Sequence, residues 1–267
     1  MMKKYNFHTH TYRCGHAEEN ITDEEIVKTF IDNGFEVIAF TDHCPEKVVI
    51  DTRKNMRMDY NMKDEYLSSI NHLKKKYQDK IVIETGYEIE YLPDQEDNLL
   101  ELKKETDKLV LGQHFIYDTD GKSLKIFRHD KFSDEDLLMY ANYIKSAIEK
   151  GIPDIIVHPD LYMLSRKDFK VVESQVAHTI CKTAEKYNIP LEINLTEPLL
   201  YLIGLRNNIS YPNKQFWEIA SNYHVKVLYG IDMHYLESIE HYEDSIKLAE
   251  EVIGKDIIKR LKFLNID

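Results

Sequence analysis

"FHTHTYRCGHA", residues Phe7 to Ala17, sets three histidines within nine positions directly after a short apolar opening. If the stretch is extended, His8 and His10 share one face and Thr9 points away, because alternate residues of a strand point to the same side. Two imidazoles held that close invite a metal ion. An isolated pair could equally be surface histidines, so the remaining partners have to come from elsewhere in the chain.

Outward from this stretch, short β-rich runs alternate with longer helical patterns to the end of the chain. Strands are expected over Tyr5–His10, Glu36–Thr41, Ile81–Tyr91, Lys108–Phe115, Asp154–His158, Pro190–Leu195 and Lys226–Ile231. Between them the apolar periodicity predicts helices over Thr22–Asn33, Asp59–Tyr77, Ser133–Lys150, Val172–Tyr187, Asn213–Tyr223 and Tyr242–Ile253. The first opens on a Thr22-x-x-Glu25 capping box, and the third carries Ser133 and Glu135 at its start. Gly34 and Gly151 stand just past the first and third, as C-cap glycines do. A βα unit repeated this often implies a parallel sheet with helical crossovers, either a closed barrel or an open doubly wound sheet. No G-x-G-x-x-G or G-x-x-x-x-G-K-[ST] follows any strand, which removes the main support for a nucleotide-binding open sheet. No Pro-, Gly- or Ser-rich linker and no internal repeat interrupts the alternation. Residues 1–267 are therefore expected to form a single catalytic domain, and 43% hydrophobic residues are ample for its core.

On this strand reading the histidines are not scattered. His8 and His10 end the first strand, His43 follows the second in "AFTDH", and His114 ends the fourth in "VLGQHF". His158 ends the fifth in "DIIVHPD", and His234 follows the seventh in "YGIDMH". In a parallel barrel all of these lie on one rim, where the βα loops build the active site. The third strand adds Glu88 and Glu90 in "GYEIEY", and the seventh adds Asp232. Spacing does not decide between Glu88 and Glu90, which can share one face. Imidazoles beside carboxylates suit Zn²⁺, Mn²⁺ or Fe²⁺, whereas Mg²⁺ or Ca²⁺ would prefer an all-oxygen site. His72, His129, His178, His224 and His241 are expected to be structural, most of them falling in helical patterns or a turn.

Composition excludes several other functions. With 47 acidic against 35 basic side chains the formal charge is −12, which disfavours a phosphate backbone as partner, so no nucleic acid is expected. No segment runs to 18 uncharged apolar residues, and the opening "MMKKYNFHTHTYRCGH" lacks the apolar core and cleavage site of a secretory signal. No membrane is expected as partner, and a cytoplasmic location is. Cys14, Cys44 and Cys181 are an odd number without CxxC spacing, which points to reduced thiols rather than a disulfide framework. Cys14 and Cys44, although beside His16 and His43, are read as packing residues.

The motifs "HTHTYRCGHA", "TDHCP", "GYEIEY", "LGQHF", "HPDL", "EIN", "GLR" with a later "YP", and "GIDMH" cover nearly the whole chain. As an ordered set they resemble the polymerase and histidinol phosphatase (PHP) family, and within it the histidinol-phosphate phosphatases. The resemblance implies an α/β fold, a distorted TIM-like (β/α)7 barrel, with a trinuclear centre of Zn, Mn or Fe ions at the C-terminal rim of the strands. It assigns His8, His10, Glu88 and Asp232 to the first ion. Glu88 then bridges to a second ion with His114 and His158, and His16, His43 and His234 hold a third. It implies a metal-dependent phosphatase that hydrolyses L-histidinol phosphate, a small-molecule monoester. The segment "EINLTEPLLYLIGLRNNISYP" departs from the family in the length separating Asn194 from Arg206.

Such a reaction needs a proton for the leaving alkoxide, and Asp160, two residues beyond His158, is a candidate general acid. Its alternative is an N-cap or a partner to a metal-bound histidine. Arg206 and Arg166 could hold phosphate oxygens bidentately, or be solvated surface residues. Glu90, Tyr91, Asn194 and Phe115 are candidates for recognising the imidazole and amine of the substrate. Two rivals keep the family and change the function. One is a phosphoesterase acting on nucleoside monophosphates or single-stranded oligonucleotides; the other is a noncatalytic metal-binding module, whose signature would be degraded ligands. All nine ligand positions are intact.

Overall fold

Apolar residues on both faces of the strands require a sheet covered on both sides, and that is how the chain folds. In the computed structural model, which describes residues 4–45, 56–118, 121, 124–127 and 131–265, the strands are β1 (Lys4–Asn6), β2 (Phe35–His43), β3 (Val82–Ile89) and β4 (Lys108–Leu111), then a hairpin of β5 (Phe115–Tyr117) and β6 (Leu124–Ile126), then β7 (Ile155–Ile156), β8 (Leu191–Asn194), β9 (Lys226–Gly230) and β10 (Lys262–Phe263). Eight of them form one sheet in the order β1-β2-β3-β4-β7-β8-β9-β10, every pairing parallel.

Parallel neighbours need crossovers. These are α1 (Asp23–Asp32), α2 (Lys63–Lys76), α3 (Glu96–Glu105), α4 (Asp134–Glu149), α5 (Val171–Tyr187), the pair α6 (Thr196–Leu202) and α7 (Lys214–Ala220), and the run α8 (Glu237–Glu240), α9 (Tyr242–Ile253) and α10 (Lys255–Ile258). The segment after β1 draws the two sides of the sheet together at its carboxyl end. Thr9 forms a parallel bridge to Met233, His10 N donates to Met233 O at 2.9 Å, and Met233 N donates to His8 O at 3.1 Å. On the other side Thr41 N donates to Thr9 O at 2.9 Å. The strands thus curl into a distorted barrel whose rim carries the histidines, with β10 added beside β9.

The pleat sorts the core into two parts. Val37, Ala39, Val110 and Leu228 belong to a small cluster with Tyr5 and Phe7, while the alternate residues Ile38, Phe40, Leu109 and Leu111 pack in the larger layer beneath the helices. Local signals start and stop the helices. Glu25 N donates to Thr22 Oγ1 and Thr22 N to Glu25 Oε2, the reciprocal box expected for α1. In α4 the box with Ser133 is closed by Asp136, not by the acid at 135, because N3 is the position whose side chain reaches back. Gly34 and Gly151, at φ 76° and 68°, terminate these two helices in the left-handed region.

Several boundaries differ from those predicted. β1 ends at Asn6, before the histidines; β4 stops at Leu111, and Phe115 belongs to the hairpin instead. α2 starts at Lys63, after a 3₁₀ turn over Tyr60–Met62. The hairpin, β10, α3, α6, α8 and α10 have no counterpart in the periodicity. α6 is masked in sequence by Pro198, which sits in its first turn, where a missing N–H costs no helical hydrogen bond. His129 lies outside the described residues. Among the described residues no helix is long and apolar enough to cross a membrane.

Candidate metal centre

Glu88, one residue from the end of β3 and 1% exposed, is the hub of the rim. Its Oε1 lies 2.9 Å from His158 Nε2, 3.4 Å from His8 Nε2 and 3.6 Å from His114 Nε2. Its Oε2 lies 2.9 Å from His43 Nδ1 and 3.5 Å from His10 Nε2. Across the mouth, Asp232 Oδ1 is 3.2 Å from His10 Nε2 and 3.4 Å from both His8 Nε2 and His234 Nδ1. His234 and His16 bring their Nε2 atoms to 2.9 Å. All nine expected ligand residues therefore converge. Donor atoms of His8, His10 and Glu88 lie within 4.8 Å of one another, as do those of His8, His158 and Asp232 and of His10, His43 and His234.

This set fits divalent metal. His8 Nε2, His10 Nε2, His43 Nδ1, His158 Nδ1 and Glu88 Oε2 are buried without a hydrogen bond of good geometry, whereas buried polar atoms are almost always paired. Nitrogens and carboxylate oxygens turned on a common centre are the donors of a transition-metal site. His158 and Asp232 also adopt φ of 31° and 51°, a left-handed backbone rare outside glycine and held at functional positions by surrounding structure.

An outer layer aims the imidazoles. His8 Nδ1 lies 3.1 and 3.2 Å from the two oxygens of Glu192 on β8, and Asn194 Nδ2 donates to Glu192 Oε1 at 2.7 Å. His114 Nδ1 is 2.9 Å from Glu90 Oε1, His10 Nδ1 is 3.5 Å from Asp42 Oδ1, and His16 and His234 turn Nδ1 to the carbonyls of Cys14 and Asp232. Holding one ring nitrogen in this way leaves the other free to ligate. Close approach of the carboxylates demands glycine. A Cβ at Gly112 would lie 1.8 Å from Glu88 Oε1, and one at Gly230 would lie 2.0 Å from Glu192 Oε2.

Electrostatics divide the imidazoles into two groups. Burial opposes a charge on His8, yet Asp232, Glu192 and Glu88 hold it well above its ordinary value; burial likewise acts against His10, which the nearby carboxylates of Asp232, Asp42 and Glu88 raise to about 9. Burial and the nearby His10 push His234 down to about 3, and His43 also lies well below its ordinary value, chiefly through burial. Burial works against ionisation of Glu88 and Asp232, but the surrounding histidines keep both carboxyls well below the usual range.

The sequence pattern of the PHP domain matches residues 6–196, which include seven of the nine converging side chains. The chain belongs to the PHP domain family. Within curated proteins, the PHP chain is 29% identical over 157 residues to the histidinol-phosphatase of Bacillus subtilis strain 168, a match over 56% of this chain. The chain spans 57% of that relative's length. Among solved structures, the hisK protein of Listeria monocytogenes shares the fold at a TM-score of 0.76 and 23% identity, over 91% of this chain and 99% of its own. The histidinol phosphate phosphatase of Lactococcus lactis, solved with Zn, L-histidinol and phosphate, shares it at a TM-score of 0.66 and 19% identity, over 93% of this chain and 94% of its own.

Above the PHP centre opens a cavity of about 360 Å³, walled by His16, His43, His114, His158, Asp232 and His234 and by apolar residues such as Leu161, Leu199 and Tyr211. The three expected catalytic residues are not in that wall. Asp160 is fully buried, and its Oδ2 accepts from Asn213 N at 2.6 Å and Trp217 Nε1 at 3.1 Å; the turn after His158 carries it into the helical layer, so it does not face the cavity as a general acid. Arg166 is captured by Asp134 at 2.7 Å and Glu173 at 3.1 Å. Arg206 is exposed beyond α6. Of the recognition candidates, Glu90 and Asn194 support the centre, the Tyr91 hydroxyl donates to Glu96, and Phe115 is core. Cys14 is fully buried, and its sulfur lies within 4.8 Å of nitrogens of His16 and His234.

Sequence reasoning passed over Glu192, Asp42 and Arg57. Glu192 sits in "EIN" two residues before Asn194, on the same face of its strand, so strand alternation was the signal that could have found it. Asp42 lies inside the "TDH" already singled out. Arg57 Nη1 is 3.3 Å from Glu90 Oε2 and donates to Cys44 O at 3.1 Å; nothing in its surroundings in sequence marks it.

Proposed function

We propose that this PHP chain is a phosphatase that hydrolyses L-histidinol phosphate to L-histidinol and inorganic phosphate at a centre of three divalent ions, Zn, Mn or Fe. The observation that carries the reading is the set of buried ring nitrogens around Glu88 that lack a well-formed hydrogen bond, at the floor of a cavity sized for a small monoester. The curated relative's name supplies the ester. His8, His10, Glu88 and Asp232 would hold one ion, Glu88 with His114 and His158 a second, and His16, His43 and His234 a third. When bound, such ions neutralise phosphate charge and supply hydroxide near neutral pH.

The chain's own part is to hold these donors rigid. Glu192, Glu90 and Asp42 orient His8, His114 and His10, and the apolar wall of Leu161, Leu199 and Tyr211 limits water around the ester. Asp160 keeps the turn after His158 packed on α7 through Asn213 and Trp217, a positioning task in place of proton transfer. Arg166 is engaged by Asp134 and Glu173, and Arg206 lies exposed beyond α6, so this reading rests on neither.

Phosphate release from L-histidinol phosphate, AMP and short oligonucleotides, with added Mn²⁺ or Zn²⁺, tests the reading. It expects turnover of the first well above the other two and loss of turnover in His158→Ala. Preference for AMP or oligonucleotide would overturn the substrate, and a metal-loaded protein that cleaves none would overturn the activity.

A further inference from the structure

Arg13 lies in the turn between the candidate ligands His10 and His16, yet its side chain is 2% exposed. Nη1 and Nη2 fork onto Asp23 of α1 at 2.7 and 2.9 Å, while Nε and Nη2 fork onto Glu65 of α2 at 2.8 and 2.9 Å. Nη1 also reaches Thr11 Oγ1 at 3.2 Å. One guanidinium thus ties the ligand-bearing turn to two crossover helices through two bidentate pairs, a geometry only arginine supplies.

Two contacts lead from Arg13 to the imidazoles. Thr11 Oγ1, which receives Nη1, donates to Asp42 Oδ2, and the other oxygen of Asp42 accepts from His43 N at 3.1 Å and lies 3.5 Å from His10 Nδ1. The 3₁₀ turn of Tyr12–Cys14, capped by Thr11 and ended by Gly15 at φ 80°, turns the Cys14 carbonyl toward His16 Nδ1 at 3.2 Å. That contact leaves His16 Nε2 facing His234. A fully engaged buried arginine with two acidic partners is costly to desolvate, and packing alone does not require it in this turn.

We infer that Arg13 is a positioning residue that sets the affinity of the ion held by His16, His43 and His234, by locking the Thr11–His16 turn onto α1 and α2. The inference rests on the three-ion reading above. It is tested by metal content per chain and metal titration of wild type, Arg13→Lys and Glu65→Gln, each with thermal melting in the metal-free and loaded states.

Arg13→Lys keeps the charge and loses both forks, and it is expected to weaken the ion held by His16, His43 and His234 about 10- to 100-fold, and the others less. Glu65→Gln, on the outer side of the network, is expected to weaken the same ion by roughly threefold, and it serves alone if Arg13→Lys does not fold. A wild type that binds no ion overturns the parent reading. A wild type with three ions and variants that keep all three at unchanged affinity overturn this inference, as does an equal fall in melting temperature of metal-free and loaded protein without a change in stoichiometry.

Discussion

Replacing Gly112 with alanine strikes the centre at its tightest point. The new Cβ would lie 1.8 Å from Glu88 Oε1, 2.7 Å from Glu88 Cδ and 2.9 Å from His158 Cε1. The backbone is tied here to the end of β3, where Gly112 N donates to Ile89 O at 3.0 Å. Ordinary contact begins near 3.4 Å, so Glu88 Oε1 must retreat by about 1.6 Å. Overpacking of this kind costs roughly 1–3 kcal/mol, which in a chain of this length lowers Tm by about 2–5 °C. The functional loss is larger, since a displacement above 1 Å at a reacting centre costs on the order of 100-fold in turnover. Metal per chain after gel filtration, melting with and without chelator, and phosphate release measure the three effects. Adding Glu88→Asp, which withdraws the carboxylate by about one C–C bond, or ~1.5 Å, is expected to restore metal to the Gly112→Ala protein. A Gly112→Ala variant with wild-type metal content and turnover would refute the reasoning.

Glu192→Gln removes the anionic partner of His8 Nδ1 and is expected to lower metal affinity about 10- to 100-fold with the fold intact; isothermal titration with Mn²⁺ checks it, and unchanged affinity counts against the orienting role. His16→Ala is expected to lose one ion per chain, while Glu88→Ala disturbs two, by elemental analysis; equal losses would contradict Glu88 as the bridge. Asp160 carries a pH prediction. Burial raises its carboxyl to about 7, so its protonated form belongs to the folded state. That contribution is present below its ordinary value, about 4, and is lost as pH rises through about 7. Asp160→Asn cannot ionise and keeps an acceptor for Trp217. It should therefore gain on wild type across that window by up to roughly 4 kcal/mol, in denaturant melts of metal-free protein. A difference that stays constant with pH would sink the buried neutral carboxyl.

The ligand residues were readable because strand order and strand ends place residues on one rim whatever the helices do, and each expected ligand except His16 sits at or just beyond a strand end. The supporting layer was half-readable: Glu192 and Asp42 belong to motifs already noticed, but a motif does not say which of its carboxylates faces an imidazole. The placement of Asp160 and Arg166 was not legible, for a geometric reason. Two residues beyond His158 in a straight strand would face the same way as His158, but His158 has φ 31° and the chain enters a 3₁₀ turn, which swings Asp160 onto Trp217. Arg166 is claimed by Asp134 at the start of α4 and Glu173 near the start of α5, and no local pattern announces such an ion pair.

Read without coordinates, the chain determines its alternation of strand and helix, the parallel sheet that follows, and the residues able to hold cations, since periodicity and ligand chemistry are local properties. Tertiary structure alone decided which donors face each other, why Gly112 and Gly230 must lack side chains, and where Asp160 and Arg13 are spent. Those outcomes depend on distances between segments far apart in the chain, which packing sets and no neighbouring residue encodes.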